Sequence, residues 1–246
     1  MTAALALEHL TKRFGGLVAV QDVTVEIAAG GITGLIGPNG AGKTTLFRVI
    51  SGGARPSAGR ALCFGREITG WSAHAVCRLG VCVTHQIVRP FADLTVLENV
   101  LVGAAFGAGD RLGGLTARAE AEAVLEFTGL ARRRDVTAST LTLAERKRLE
   151  IARALATRPQ VLLLDEVLAG LTPAETHQAV VLVRAIRARN ITIVMIEHVM
   201  RAVMDLSDRV LVLNYGRLIA DGPPAEVTRN PQVIEAYLGR DFGAAL

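Results

Sequence analysis

Aromatic side chains are scarce in this 246-residue chain, which has one Trp, two Tyr and seven Phe. None is interleaved with the two basic clusters, Arg132-Arg133-Arg134 and Arg146-Lys147-Arg148, so neither cluster comes with a platform for stacking bases. The formal charge of +4 is otherwise spread out, and both clusters read as solvated helix faces, with no nucleic-acid partner expected. Long apolar runs are missing too. The longest, such as Val161 to Leu164 and Ile191 to Ile196, fall far short of the roughly 20 residues a membrane span needs. Cys63, Cys77 and Cys82 form no C-x-x-C pair, and the first residues lack a charged-then-apolar signal segment, which makes a reducing, cytoplasmic setting the default expectation. No Pro/Ser-rich linker or charge block divides the chain, so it reads as one domain with lobes.

What is present is more specific. Gly37-Pro38-Asn39-Gly40-Ala41-Gly42-Lys43-Thr44-Thr45 is a complete G-x-x-x-x-G-K-[ST] phosphate loop. Gly37, Gly40 and Gly42 let the backbone curl so that successive N–H groups face phosphate oxygens, Lys43 adds a positive charge, and Thr44 offers a hydroxyl to Mg²⁺. The context agrees with the motif. The preceding Gly31 to Ile36 is a short apolar run suited to a buried strand, and Thr44 to Ile50 has helical spacing up to a Ser51-Gly52-Gly53 stop, which places the loop at a helix N-terminus. The chain is therefore expected to bind a nucleoside triphosphate.

The first 30 residues alternate apolar and polar, with turn signals at Gly15-Gly16 and Gly30-Gly31, and are expected to form antiparallel strands. Val161 to Leu164 and Ile191 to Ile196 are continuous apolar runs, as in strands covered on both faces of a parallel sheet. Between them Thr172-Pro173-Ala174-Glu175 is a helix start with Thr at the cap and Glu three residues on, which makes this stretch a strand-helix-strand crossover. Residues 87–158 are dominated by helix formers, notably Ala117 to Thr128 and Ala144 to Ala156, and read as a helical lobe inserted between sheet elements.

Polar residues at the ends of apolar strands supply candidates for chemistry. Asp165, ending the Val161 run, is placed to hold the Mg²⁺ shell through water, and Glu166 to polarise an attacking water. Gln86 follows the Val81 to Val83 run and can reach the metal or its water. His198 follows Ile196-Glu197 and can hydrogen-bond a γ-phosphate. A guanine-specifying Asn-Lys-x-Asp motif is absent, which argues against a GTPase switch.

The order Phe14, Gly37 to Thr45, Gln86, Asp165-Glu166 and His198 resembles the ATP-binding-cassette ATPases over nearly the whole chain. The resemblance implies an α/β fold: a P-loop NTPase (RecA-like) core with a mainly parallel sheet, an N-terminal antiparallel β lobe and an inserted helical lobe. The domain would run over residues 2–240, with core and antiparallel lobe at 2–86 and 159–240 and the helical lobe at 87–158. It also implies ATP and Mg²⁺ as cofactors, with Phe14 stacking on adenine and two domains closing head to tail around two ATP molecules. Each site then uses the phosphate loop of one chain and the signature motif of the other. The signature, normally Leu-Ser-Gly-Gly-Gln, reads Leu141-Thr142-Leu143-Ala144-Glu145 here. Thr142 keeps a hydroxyl for the γ-phosphate and makes a capping box with Glu145. Leu143 and Ala144 remove glycines, and Glu145 adds a carboxylate near a polyanion, so a weaker closed dimer with hydrolysis retained is expected. Val167 replaces a common proline, and Ala169 to Thr172 lacks the aspartate many relatives have.

Phe14 to Val20, Leu94 to Val100, Arg148 to Arg153 and the tail Asn230 to Gly239 look like the ATPases of branched-chain or hydrophobic amino-acid uptake. By that resemblance the partners are integral-membrane permease subunits whose cytoplasmic helices dock near Gln86 to Leu97. The working unit is a homodimer or a heterodimer with a second ABC ATPase, a solute-binding protein acts indirectly outside, and the chain is peripheral on the inner face of the cell membrane. Lipopolysaccharide-export ATPases are the nearest transport alternative, and a low-turnover regulatory module is the alternative of another class.

Overall fold

A computed structural model describes residues 3–86, 89–107 and 114–238. Residues 2, 87, 239 and 240, at the limits expected from the sequence, lie outside these, as does part of the glycine-rich stretch near 103–114.

Two sheets organise the chain. The strands β1 (Ala3–Phe14), β2 (Leu17–Ala28), β4 (Ala58–Cys63) and β5 (Arg66–Glu67) form an antiparallel sheet in the order β2-β1-β4-β5. A second sheet has the order β10-β9-β3-β8-β7-β6, from β3 (Ile32–Ile36), β6 (Val81–Val83), β7 (Val161–Asp165), β8 (Thr192–Ile196), β9 (Arg209–Asn214) and β10 (Arg217–Gly222). Its pairings are parallel except for the hairpin of β9 with β10.

The helices are α1 (Lys43–Ile50), α2 (Ala73–Arg78), α3 (Val96–Phe106), α4 (Gly114–Thr128), α5 (Leu143–Ala156), α6 (Pro173–Arg187), α7 (Met200–Leu206), α8 (Pro224–Val227) and α9 (Pro231–Leu238). Helices α3 to α5 fall between β6 and β7, where the helical insertion was expected. Both expected capping boxes form, Thr142 with Glu145 and Thr172 with Glu175, and Thr95 with Glu98 adds a third at α3. Each cap satisfies otherwise orphaned helix N–H groups and contributes about 1 kcal/mol.

The continuous apolar runs have a direct structural cause. Every residue of β3, β7 and β8 is buried, and alternate side chains enter different cores because successive strand residues point to opposite faces. Leu162, Leu164, Ile193 and Met195 join the core beneath α3 to α6. Val161, Leu163, Val194 and Ile196 join the core shared with α1 and the antiparallel sheet. The loops at the ends of these strands are thus held from two sides.

Phe47 on α1 is 1% exposed and lies in the second core. Phe47→Ala should lower the unfolding free energy by about 3–5 kcal/mol. Urea denaturation checks this through a reduced midpoint at unchanged slope.

Candidate active site

The phosphate loop crosses from β3 to α1 and meets neighbouring backbone at both ends. Gly37 has φ +146° and a Cβ there would lie 2.0 Å from the Leu213 carbonyl oxygen; Gly42 has φ +103° and a Cβ would lie 2.1 Å from that of Ala19. No other residue fits either position. Gly42 also caps α1, which has no side-chain cap, so the helix presents free N–H groups to the loop's concave side. Lys43 is buried, and its Nζ donates to the Gly37 and Pro38 carbonyls at 2.6 and 3.0 Å. Burial lowers its pKa, while Glu166 and Asp165 favour the charged form.

A cleft of about 490 Å³ opens over the loop. Asn39, Gly40, Ala41, Gly42, Lys43, Thr44 and Thr45 line it together with Gln86, Glu166, His198 and Phe14. Phe14 is 44% exposed, with the Lys12 ammonium 4.7 Å from its ring centroid. Pro38 faces an adjoining cavity beside Tyr215 and α9. The sequence reading missed the wall residues Leu17, Val18, Ala19 and Tyr215; the close approach of Gly42 to Ala19 is long-range and carries no local signal.

The three polar strand-end residues converge. Glu166 accepts a 2.7 Å hydrogen bond from Gln86 Nε2 through one carboxylate oxygen, and its other oxygen is 2.8 Å from His198 Nε2. Glu166 follows the last residue of β7, and Gln86 and His198 lie just beyond the flanking β6 and β8, so sheet order alone brings them together. Asp165, Thr44 and Gln86 line a second cavity of about 840 Å³. Asp165 is 4% exposed, and its Oδ1 has no hydrogen-bond partner among the described residues. A buried, unsatisfied carboxylate oxygen beside a threonine hydroxyl and an amide suits a hydrated hard cation.

Thr142 stands apart, exposed at the N-terminus of α5 and away from its own chain's cleft. The Glu145 carboxylate is turned back onto the helix: it accepts the Thr142 N–H at 3.0 Å and pairs with Arg133 at 2.9 Å. The Thr142 N–H, helped by Arg133, holds its pKa below the usual carboxylate range. Its charge is therefore partnered, which moderates the repulsion expected from the sequence. One basic cluster needs correction: Lys147 is buried and not part of a solvated face, because acidic groups and a carbonyl await it on the inner side of α5. Glu197, 1% exposed, was also missed as a structural residue; its Oε1 accepts the Leu168 N–H at 2.8 Å, and burial pushes its pKa to about 7.

A family model described as "ABC transporter" matches residues 20–169, which include the phosphate loop, Gln86, Thr142 and Asp165-Glu166. This chain belongs to that family. A second family model, "Branched-chain amino acid ATP-binding cassette transporter", matches residues 217–243. The chain is 41% identical to the "High-affinity branched-chain amino acid transport ATP-binding protein BraF" of Pseudomonas aeruginosa, covering 96% of this chain and 97% of that one. It is 35% identical to the "Lipopolysaccharide export system ATP-binding protein LptB" of Acidithiobacillus ferridurans, covering 98% and 99%. A solved ATP-binding cassette of an ABC transporter in its ADP conformation superposes with a TM-score of 0.88 at 30% identity, covering 98% and 100%.

Burial and the nearby Glu166 raise the Asp165 pKa to about 6, against the opposing pull of His85, Lys43 and His198. The folded chain thus holds this proton more tightly than the unfolded chain, and its contribution to stability is lost as pH rises from about 4 through 6. Asp165→Asn should therefore raise the melting temperature of the nucleotide-free protein by at least about 2 °C at pH 7.5. The gain should vanish below about pH 4, where the native carboxyl is neutral in both states. Thermal unfolding of both proteins across this range is the measurement.

Proposed function

We propose that this chain is the ATP-hydrolysing subunit of a membrane importer for branched-chain amino acids or similar small solutes, dimerising around ATP to drive a permease. One observation carries the ATPase assignment: a single carboxylate, Glu166, is bracketed by Gln86 and His198 on the cleft above a complete phosphate loop. The match over residues 217–243 supports amino-acid import over lipopolysaccharide export. In this reading residues 2–240 are one nucleotide-binding domain, with residues 87–158 as its helical lobe.

In the bound state the loop's N–H groups and the N-terminus of α1 take the phosphates, and Lys43 exchanges its own-loop carbonyls for phosphate oxygens, where charge grows in the transition state. Thr44, Gln86 and Asp165 would hold Mg²⁺, which neutralises phosphate charge when bound. Glu166 accepts the proton of the attacking water. Gln86 and His198 fix the carboxylate's rotamer, and His198 stands ready to hydrogen-bond the γ-phosphate. Phe14 offers a ring face to adenine. Thr142 and the N-terminus of α5 complete the site of a partner copy or of a second, different ABC ATPase, a reading that the exposure of Thr142 supports.

The permease contact falls to a groove of about 250 Å³ lined by Cys77, Cys82, Val102, Phe106 and Arg153 among others, between the core and the helical insertion. Asn99 ties the segment before α3 to this lobe: its Nδ2 donates to the Phe91, Leu94 and Thr95 carbonyls and its Oδ1 accepts the Phe91 N–H. His85, the neighbour of Gln86, lines the same groove, so a movement at Gln86 can reach it directly. Among the described residues no helix is long and apolar enough to cross a membrane, and docking on the permease would hold the chain at the inner face. A solute-binding protein would deliver solute on the other side.

Glu166→Gln should reduce ATP turnover by about 10²- to 10⁴-fold while leaving nucleotide binding intact. Retention of more than about a tenth of the wild-type rate would refute the general-base role. Co-expression with candidate permease subunits should raise the ATPase rate further when solute-loaded binding protein is added. A rate indifferent to every permease would count against import.

A further inference from the structure

A lysine inside Arg146-Lys147-Arg148 is an unexpected occupant of the interior, because burying an ammonium costs several kcal/mol unless it finds partners. Lys147 is 6% exposed. Its Nζ donates a 2.6 Å hydrogen bond to the Glu166 carbonyl oxygen, which also accepts the Ala169 N–H at 3.3 Å. Burial weakens its hold on the proton, and the Glu197 and Glu166 carboxylates restore part of it.

The turn above it needs support. Glu166 has φ +50°, a left-handed conformation that costs a non-glycine residue about 1–3 kcal/mol and persists only where the surroundings over-determine it. Among the described residues, three contacts from outside the turn do so. The Glu166 N–H donates to the Ile196 carbonyl at 2.9 Å, and the Leu168 N–H to Glu197 at 2.8 Å. Both come from the β8 end of the sheet. The third comes from α5, and it is Lys147.

Resting on the assignment of Glu166 as general base, we propose that Lys147 is a positioning residue that holds the Glu166 backbone so that its carboxylate meets the attacking water. Lys147 does not line the cleft, so it acts through Glu166 and not on nucleotide. It stands five positions beyond Thr142 on one helix. The helix that faces the partner's nucleotide therefore also props its own chain's base, and a shift of α5 when the dimer closes reaches Glu166 directly. A misplacement of about 1 Å at such a base is enough to cost about 10²-fold in rate.

Steady-state ATPase kinetics of the full chain test this, with thermal unfolding as the folding check. Lys147→Met keeps the apolar stem and loses the donor. It should lower kcat by about 10- to 100-fold with KM for ATP changed by less than about threefold, and Lys147→Arg should recover most of the loss. If Lys147→Met does not fold, Lys147→Gln replaces it and the same split is required. A kcat within about twofold of wild type, a KM that rises as much as kcat falls, or no recovery with Arg would overturn the proposal. Glu166→Gln, assayed alongside, separates the two ideas. Wild-type turnover in that variant overturns the general-base assignment and the proposal with it. An inactive Glu166→Gln beside a fully active Lys147→Met overturns the role of Lys147 alone.

Discussion

Backbone pressed against backbone at the two ends of the phosphate loop sets the terms for everything around it. The Leu213 carbonyl at Gly37 and the Ala19 carbonyl at Gly42 come from different sheets, so the loop keeps its curl only while both sheets are in place. The turn after β9 adds to this: the Gly216 N–H donates to the Ala41 carbonyl, and its own carbonyl accepts from Gln21. Loop, antiparallel lobe and parallel sheet are one mechanical unit, which allows an assembly of main-chain N–H groups to stay preorganised for a polyanion.

Sheet order does for the side chains what those contacts do for the loop. β6, β7 and β8 are adjacent and parallel, so the residues that follow them emerge at one edge within hydrogen-bonding reach. Glu166, Gln86 and His198 need no long connection to meet. Glu197 turns inward beside His198 and holds the same turn through the Leu168 N–H, so of two neighbouring residues one faces the cleft and the other supports the turn beneath it.

Local spacing made much of this visible in advance. The phosphate loop, the Asp165-Glu166 strand end and the caps at Thr142 and Thr172 are each written within a few consecutive residues, and all form the elements expected of them. Lys147 and Arg133 were hidden because a charge run looks the same whether its members are solvated or paired. The partner of Lys147 lies 19 residues away and that of Arg133 lies 12 residues away. The cleft walls at Val18, Ala19 and Tyr215 were hidden for the same reason: they exist only once two sheets have met.

The alternation of β7 and β8 between two cores bears on how such a chain can diverge. Positions 162, 164, 193 and 195 answer to the helical side, and 161, 163, 194 and 196 to the nucleotide side. Mutational drift is thereby sorted by parity. Repacking that reshapes the helical side can accumulate on one set of strand positions, leaving the other set, and the phosphate loop it supports, under separate selection.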